Sequence, residues 1–324
     1  MNQAAPVVSV VLPTFNRLEY IPKAIDSVFA QTFTDWELII ADDGSTGEAL
    51  TYLRRIAERP RVRLICFEHT GNPAFLRNAA ISEALGEYVA FLDSDDLWVP
   101  VKLELQLASL RAHKSRRWGY TKFVLIDPSG EPTQWMRRTG GWPTPDGWIL
   151  DRLAKVETLI ALPSVIAARS LLREVGGFDE TLLGSEDVDL WLRLAVESEV
   201  DALSEPLTLV HRHSQHFSTR GSEVFSYAAM ATEKAMRAKG MGHLRTLFQR
   251  ERGKIAVQLA RWYAGSGDRE RAYGAVISST RHIWRYPSLW STALTALAVA
   301  STPAWVRTAV RRIRLRASTP RYRR

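Results

Sequence analysis

Cysteine is nearly missing from this sequence, in which 324 residues include only Cys66. One thiol excludes an internal disulfide framework and a Cys-rich zinc site. Because Cys66 falls in the apolar run VRLICF, we expect a buried thiol in a reducing compartment. The N-terminus lacks a basic region, and its apolar run is too short for a signal peptide, which predicts a cytoplasmic location.

Several motifs of nucleotide-binding and hydrolytic folds are also absent. No G-x-G-x-x-G follows the first predicted strand, and neither G-x-x-x-x-G-K-[ST] nor G-x-S-x-G occurs in the chain. These absences argue against a dinucleotide-binding fold, a P-loop and an α/β-hydrolase.

Charge is missing from Tyr286 to Val306. Pro287 and Pro303 leave only about 15 residues between them, which would form a helix of roughly 23 Å against a hydrocarbon core of about 30 Å. We therefore predict a helix that lies on a membrane surface and does not span it. A buried helix of the C-terminal domain is the alternative.

The remaining charge is unevenly distributed. Residues 222–324 hold 20 Lys and Arg against 5 Asp and Glu, whereas residues 1–221 hold 23 against 30. We predict two domains, 1–221 and a basic helical 222–324. A basic tail favours an anionic surface, and no nucleic-acid recognition fold accompanies it, so anionic membrane is preferred to nucleic acid; a solvated helical face is the alternative.

The first hundred residues alternate between strand and helix patterns. The runs VVSVVLP, WELIIAD, VRLICF and EYVAFLD read as strands, and helical spacing separates them. This alternation predicts an α/β fold with a mostly parallel sheet flanked by helices.

Polar residues follow three of these strands, at the edge where open α/β sheets bind ligands. The segments are PTFNR, ADDGST and DSDD. Each segment alone is compatible with an ordinary turn, but three at one edge favour a site. Asp93 and Asp95 point to the same side of an extended segment, and such carboxylates suit Mg²⁺ or Mn²⁺ with a diphosphate. A calcium loop is excluded by Leu97 and Trp98 at its ligand and glycine positions.

A second acidic cluster lies in GGFDETLLGSEDVDLWLRLA. Ser185 is a predicted N-cap, and Glu186, Asp187 and Asp189 fill the first helical turn. Acidic residues there stabilise the helix dipole, so a purely structural role is one interpretation. The other is that one of them is a general base for a sugar hydroxyl.

These segments together resemble a family of enzymes. VSVVLPTFNR, WELIIADDGST, LRNAAISEALGEYVAFLDSDD and GGFDE…SEDVDLWLRL are similar in order and spacing to the family 2 glycosyltransferases with the GT-A fold. The resemblance covers about residues 6–215 and weakens after residue 221.

On the donor side, the resemblance implies a nucleotide site. Pro13, Thr14 and Phe15 would line the nucleobase pocket, and Asp42 would accept a hydrogen bond from the base. Arg77 would lie near the diphosphate, although a helix-surface arginine is the alternative.

On the metal and acceptor sides, the resemblance implies that Asp93 touches the ribose or the metal and that Asp95 is the main metal ligand. Asp187 would be the catalytic base, with Asp96 and Glu186 as supporting groups. In the stretch HRHSQHFS, Arg212 or His213 would reach the diphosphate from a closing loop; an ordinary surface loop is the alternative.

The aromatic segment between the two halves has two interpretations of equal weight. Trp135, Trp142 and Trp148 would either stack on sugar rings in an acceptor groove or anchor the core.

We therefore expect a metal-dependent inverting glycosyltransferase that moves a sugar from a nucleotide-diphosphate donor, of the UDP type, to a polysaccharide or lipid-linked acceptor at the inner face of the cell membrane. The alternative is a non-catalytic protein that binds sugar nucleotides or glycans. Asp95 and Asp187 argue against it, because a binding module needs no base.

Overall fold

The computed structural model describes residues 5–212, 222–238, 240–266 and 268–283, with positions 290, 294 and 298. These residues belong to two units, 1–219 and 220–324.

A mixed sheet forms the centre of the first unit. Its strands are β1 (Val8–Thr14), β2 (Trp36–Asp42), β3 (Val62–Cys66), β4 (Tyr88–Phe91), β5 (Leu97–Trp98), β6 (Trp118–Ile126), β7 (Val165–Ala168) and β8 (Val200–His211). Their order across the sheet is β3-β2-β1-β4-β7-β6-β8-β5. The pairs β1–β2, β2–β3, β1–β4 and β6–β8 are parallel, and the other three are antiparallel. The predicted mostly parallel α/β sheet is confirmed.

Helices cover both faces of this sheet. The helices of this unit are α1 (Ile21–Phe29), α2 (Gly47–Ala57), α3 (Pro73–Glu83), α4 (Lys102–Ala112), α5 (Gln134–Thr139), α6 (Leu150–Ala154), α7 (Arg169–Val175) and α8 (Glu186–Glu197). Apolar residues of α1, α2 and α4 pack in one core cluster, and those of α3, α7 and α8 pack in a second. Since both faces are covered, every residue of β1 and β2 is buried, as their continuous apolar runs predict.

The expectation of a buried Cys66 is wrong. Cys66 ends β3, which is the edge strand of the sheet and pairs only with β2, and its side chain is exposed. An apolar run cannot distinguish a central strand from an edge strand, because both contain β-branched residues.

The described part of the second unit is helical. It contains α9 (Ser222–Arg237), α10 (Arg245–Ser266) and α11 (Arg269–Ile283). Helices α10 and α11 pack through Val257, Ala260, Ala275 and Val276, and through Ala264 and Ala272 nearer the turn. Within the described residues, no helix is both long enough and apolar enough to cross a bilayer. Most of the segment 286–306, where we predict a surface helix, lies outside the described residues.

Candidate active site

The acidic turn, residues 93–96, follows the central strand β4. Its geometry depends on Asp96, which is buried, bonds its N–H to the Asp93 carbonyl at 3.1 Å and accepts the His211 N–H at 2.9 Å. Burial raises the pKa of Asp96 well above its ordinary value, and the charges of Asp95 and Asp93 add to this shift. Asp96 therefore anchors the turn, while Asp93 and Asp95 are partly exposed.

His211, at the end of β8, holds the acidic turn from the neighbouring strand. In addition to its backbone bond to Asp96, its Nδ1 donates to the Asp95 carbonyl. Sequence reasoning missed this residue and chose its neighbours. Arg212 is exposed and bonds through its N–H to the Ile126 carbonyl at 2.9 Å, and His213 lies outside the described residues. The available signal was the position of His211 at the C-terminal end of a strand.

Arg77 joins the acidic turn to α8. Its Nη2 donates to Asp93 at 2.9 Å and its Nη1 to Glu186 at 2.7 Å, although these residues are 16 and 109 positions away. Burial opposes the charged guanidinium, but the two carboxylates outweigh it and raise the pKa of Arg77. The alternative of a helix-surface arginine is wrong, because Arg77 is buried on α3. Its proximity to a diphosphate stays a prediction.

The predicted base, Asp187, lies in the first turn of α8. Burial, followed by the charge of Glu186, raises its pKa to about 7. The predicted N-cap Ser185 precedes the helix, but its side chain makes no capping bond, and its φ of 61° is left-handed. Such strain in a non-glycine residue is typical of functional sites. Asp189 is buried and binds Arg193 within the helix, which fits the structural interpretation for that residue.

The first two strand ends form a second polar region. Asp42 is buried at the end of β2, where its Oδ2 accepts the Ser45 N–H at 3.0 Å and its Oδ1 has no partner among the described residues. Pro13 and Thr14 are buried at the end of β1, beside β2 in register. Phe15 follows, partly exposed, with its ring stacked on His69 at 4.0 Å.

His69 is another residue that sequence reasoning missed. The buried carboxylate of Asp43 accepts the Thr70 N–H at 2.8 Å and the Gly71 N–H at 2.9 Å, and it pairs with His69 Nδ1 at 2.9 Å. Asp43 therefore holds the loop that supports Phe15. Asp42 instead keeps one carboxylate oxygen without a hydrogen-bond partner among the described residues.

The structure brings two of the three predicted tryptophans together. Trp142 stacks on Phe123 at 5.3 Å, and Trp135 lies 4.3 Å from Trp142 between ring centroids. Trp148 is 64% exposed and lies outside this stack of Phe123, Trp142 and Trp135.

The carboxylates do not form a closed metal cage. Within residues that the structure describes, no three His, Cys, Asp or Glu side chains converge closely enough to hold a metal ion.

Comparison with known proteins relates this geometry to a family. The family model "Glycosyl transferase family 2" matches residues 9–138. The chain is 30% identical over 239 residues to the putative glycosyltransferase EpsE of Bacillus subtilis. The aligned region covers 69% of this chain and 79% of EpsE. It is 28% identical over 198 residues to WfgD of Escherichia coli, a UDP-Glc:alpha-D-GlcNAc-diphosphoundecaprenol beta-1,3-glucosyltransferase, covering 61% of this chain and 73% of WfgD.

Other relatives are much longer than the matched region. An uncharacterized glycosyltransferase of Rickettsia felis is 31% identical over 204 residues, which is 63% of this chain and 32% of that protein. The chain therefore spans about a third of the length of that relative.

Solved structures share the fold at low identity. TarS 1-349 of S. aureus, in complex with UDP-GlcNAc, has a TM-score of 0.63 at 18% identity, with 90% of each chain covered. The mannosyltransferase PcManGT of Pyrobaculum calidifontis, in complex with GDP-Man and Mn2+, has a TM-score of 0.58 at 20% identity, with 92% of this chain and 86% of that one covered. These likenesses confirm the GT-A fold. The family model and the extensive match to EpsE establish that the chain is a member of the family 2 glycosyltransferases.

Proposed function

We propose that the protein is a metal-dependent, inverting glycosyltransferase with a UDP-sugar donor. The observation that carries the proposal is the Arg77 bridge, which joins the acidic turn to the helix that bears Asp187. A transfer reaction needs both groups close together, one near the leaving diphosphate and the other near the acceptor hydroxyl.

The polar region at the ends of β1 and β2 supports a nucleotide donor. Asp42 Oδ1 is a buried acceptor without a partner among the described residues, and an uncompensated group of this kind is costly unless a ligand donor fills it. The imide N–H of uracil is such a donor, and the partly exposed ring of Phe15 offers it a stacking surface. The TarS structure in complex with UDP-GlcNAc is consistent with this donor class.

The acidic turn fits a divalent cation with two protein ligands. Arg77 engages Oδ1 of Asp93, and the Asp93 and Asp95 carboxylates are partly exposed at one turn, whereas buried Asp96 is occupied by His211. Asp95 and Asp93 would hold Mg²⁺ or Mn²⁺, with phosphate oxygens and water completing the shell. Such a cation would supply positive charge to stabilise the departing diphosphate.

Asp187 is the proposed general base. A pKa of about 7 leaves a substantial fraction ionised at neutral pH while keeping the carboxylate basic enough to accept a proton. It removes the proton from the acceptor hydroxyl as that oxygen bonds to the anomeric carbon, opposite the breaking bond to the nucleoside diphosphate. The configuration at that carbon is therefore inverted.

The acceptor is proposed to be a polysaccharide or lipid-linked saccharide. The name of WfgD describes a lipid diphosphate acceptor, and the basic character of residues 222–324 suits contact with an anionic membrane at the cytoplasmic face. In this proposal residues 1–221 form the transferase domain and residues 222–324 a helical domain that contacts the membrane.

Nucleotide release from UDP-sugars, with and without Mg²⁺ or Mn²⁺, tests the function. We expect cation-dependent turnover in wild type, with losses of at least a hundredfold in Asp95→Asn and Asp187→Asn. Asp151→Asn, which changes an exposed carboxylate on α6, is the matched control and should retain activity. Donor binding without turnover, even with membrane extract as acceptor, would instead identify a non-catalytic binding protein.

A further inference from the structure

The loop between β3 and α3 is fastened to the turn after β2 by Asp43. The Asp43 side chain is buried, and its Oδ1 accepts the Thr70 N–H and the Thr70 hydroxyl, each at 2.8 Å. Its Oδ2 accepts the Gly71 N–H at 2.9 Å. The two backbones also approach closely, since a Cβ added to Gly44 would lie 3.0 Å from the His69 backbone nitrogen. The turn after β2 therefore fixes the backbone around His69.

The same aspartate orients the imidazole of His69. Its Nδ1 lies 2.9 Å from Asp43 Oδ2 and 3.1 Å from the Asp43 carbonyl oxygen. Because an ionised carboxylate and a carbonyl can only accept hydrogen bonds, Nδ1 carries a hydrogen and donates to Asp43. The ring is thereby held in place although 52% of the side chain is exposed.

A ring held in this way covers one face of Phe15. The centroids of the two rings are 4.0 Å apart, and their planes differ by 19°. Phe15 is nevertheless 38% exposed. Since a parallel stack occupies one face of an aromatic ring, only the opposite face of Phe15 can accept a further flat ring.

Phe15 lies beside the buried acceptor at the end of β2. It follows Thr14, which is in register with Asp42 on the neighbouring strand. The next residue, Asn16, is fixed to the turn after β2, since its N–H donates to Ser45 Oγ at 2.8 Å. Asp42 Oδ1 has no partner among the described residues. Since neighbouring strands lie about 4.8 Å apart, a flat ligand that donates to Asp42 can also reach the ring of Phe15.

We propose that His69 is a positioning residue for the nucleobase of the donor: it supports one face of the Phe15 ring, and the base stacks on the other face. This inference rests on the proposed nucleotide-sugar donor and adds a residue that acts through Phe15 and not on the ligand itself. The His69 ring limits the rotamers that Phe15 can adopt before the ligand binds, so less side-chain entropy is lost on binding. Asp43 contributes indirectly, because it holds His69.

Calorimetric titration of the full chain with UDP, in the presence of Mn²⁺, tests the proposal. His69→Ala should weaken UDP binding about fivefold, which corresponds to one aromatic stacking interaction. His69→Phe retains a ring that can stack on Phe15 and should recover most of the affinity, although it cannot bond Asp43. Loss of affinity in neither variant, or an equal loss in both, would overturn the proposal.

A double-mutant cycle tests whether His69 acts through Phe15. The cycle compares His69→Ala in the wild-type chain with His69→Ala in a Phe15→Ala background. If Phe15 transmits the effect, His69→Ala should change UDP affinity by less than about twofold in that background. A fivefold loss in both backgrounds would show that His69 acts on the ligand independently of Phe15.

Two controls separate this role from general damage to the site. His113→Ala removes a histidine of similar exposure, 49% against 52%, whose Nδ1 likewise pairs with a buried carboxylate, that of Asp201, at 3.0 Å. It should leave UDP affinity unchanged. Pyrophosphate with Mn²⁺ lacks a base, so its affinity should be the same in wild type and His69→Ala. Equal losses for pyrophosphate and UDP would contradict the proposal, because the substitution would then act on the whole site.

Binding by wild type distinguishes failure of this inference from failure of the proposed function. Wild type that binds UDP no more tightly than His69→Ala does rejects only the role of His69. Wild type that binds no UDP, with or without Mn²⁺, rejects the proposed donor as well. In donor turnover, a positioning role predicts a higher KM with an unchanged kcat in His69→Ala, whereas loss of folded enzyme lowers kcat.

Discussion

Glu186 is the residue with which the base role of Asp187 can be tested most directly. After burial, the charge of Glu186 is the second cause of the raised pKa of Asp187, which is about 7. Because the base acts ionised, activity should rise with pH and level off above about 7. In Glu186→Gln the repulsion is removed, so the pKa of Asp187 falls and the rising limb of the rate profile moves to lower pH.

The pH dependence of donor turnover at saturating substrate measures this shift. Asp151→Asn leaves Glu186 and Asp187 in place, so its rate should rise over the same pH range as in wild type. A limb in the same position in Glu186→Gln would show that another group controls the reaction.

Lys102 is a second residue whose burial predicts a pH effect. It is fully buried on α4, where its Nζ bonds Gln106 at 2.6 Å and lies over the Trp98 ring. Burial lowers the pKa of Lys102 well below 10.5. Below pH 10.5 the unfolded state therefore binds more protons than the folded state, so this residue makes stability increase with pH.

Lys102→Met should remove that contribution. Urea unfolding between about pH 7 and 9.5 should give a free energy of unfolding that rises less steeply with pH in the variant than in wild type. Lys155→Met, at an exposed position, serves as the control and should follow the wild-type slope. Parallel curves for wild type and Lys102→Met would contradict the prediction.

At the scale of elements, one guanidinium connects α3, α8 and the turn after β4. Arg77→Met would leave the Glu186 and Asp93 carboxylates without their cation, and breaking a buried ion pair costs about 3–5 kcal/mol. Arg117→Met breaks a half-exposed pair with Glu174, for which about 1 kcal/mol or less is expected. Urea unfolding at pH 7 compares the two, and equal losses would argue against the bridge.

The contact between β8 and the acidic turn can be tested by a rescue experiment. His211→Ala removes the ring bond to the Asp95 carbonyl, whereas the side-chain amide of His211→Asn can still donate there. We expect the apparent affinities for cation and donor to fall about tenfold in the alanine variant and to recover in the asparagine variant. Steady-state kinetics over a range of Mn²⁺ concentrations measures this difference, and equal loss in both variants would reject a positioning role.

Elements with strong local patterns were predictable from sequence, whereas contacts between distant residues were not. The runs before Asp42 and Asp93 identify their strands, because strands buried on both faces are continuously apolar. The Arg77 bridge spans 109 positions to Glu186, and no local pattern encodes it. Ser185 shows a similar limit of local patterns. Its residue type favours a side-chain cap, but its left-handed backbone conformation does not form one.

At the scale of the whole molecule, the unequal charge of the two halves leads to a binding prediction. Residues 222–324 carry a large excess of Lys and Arg over acidic residues. The full chain should sediment with vesicles that contain phosphatidylglycerol and not with neutral vesicles, and binding should weaken between about 0.05 and 0.5 M salt. Stronger binding to RNA than to anionic vesicles would favour the nucleic-acid interpretation of the basic tail.

The Arg77 guanidinium, which Asp93 and Glu186 share, also has a thermodynamic consequence for the whole reaction cycle. Asp93 and Glu186 share one guanidinium, which donates to each through a different nitrogen, and the charge of Glu186 raises the pKa of Asp187. If donor binding draws Asp93 away from Arg77, the guanidinium neutralises Glu186 more fully and Asp187 becomes a stronger acid. By reciprocity, protonation of Asp187 by the acceptor hydroxyl would weaken donor binding by the same free energy. The bridge would therefore connect deprotonation of the acceptor to release of the nucleotide.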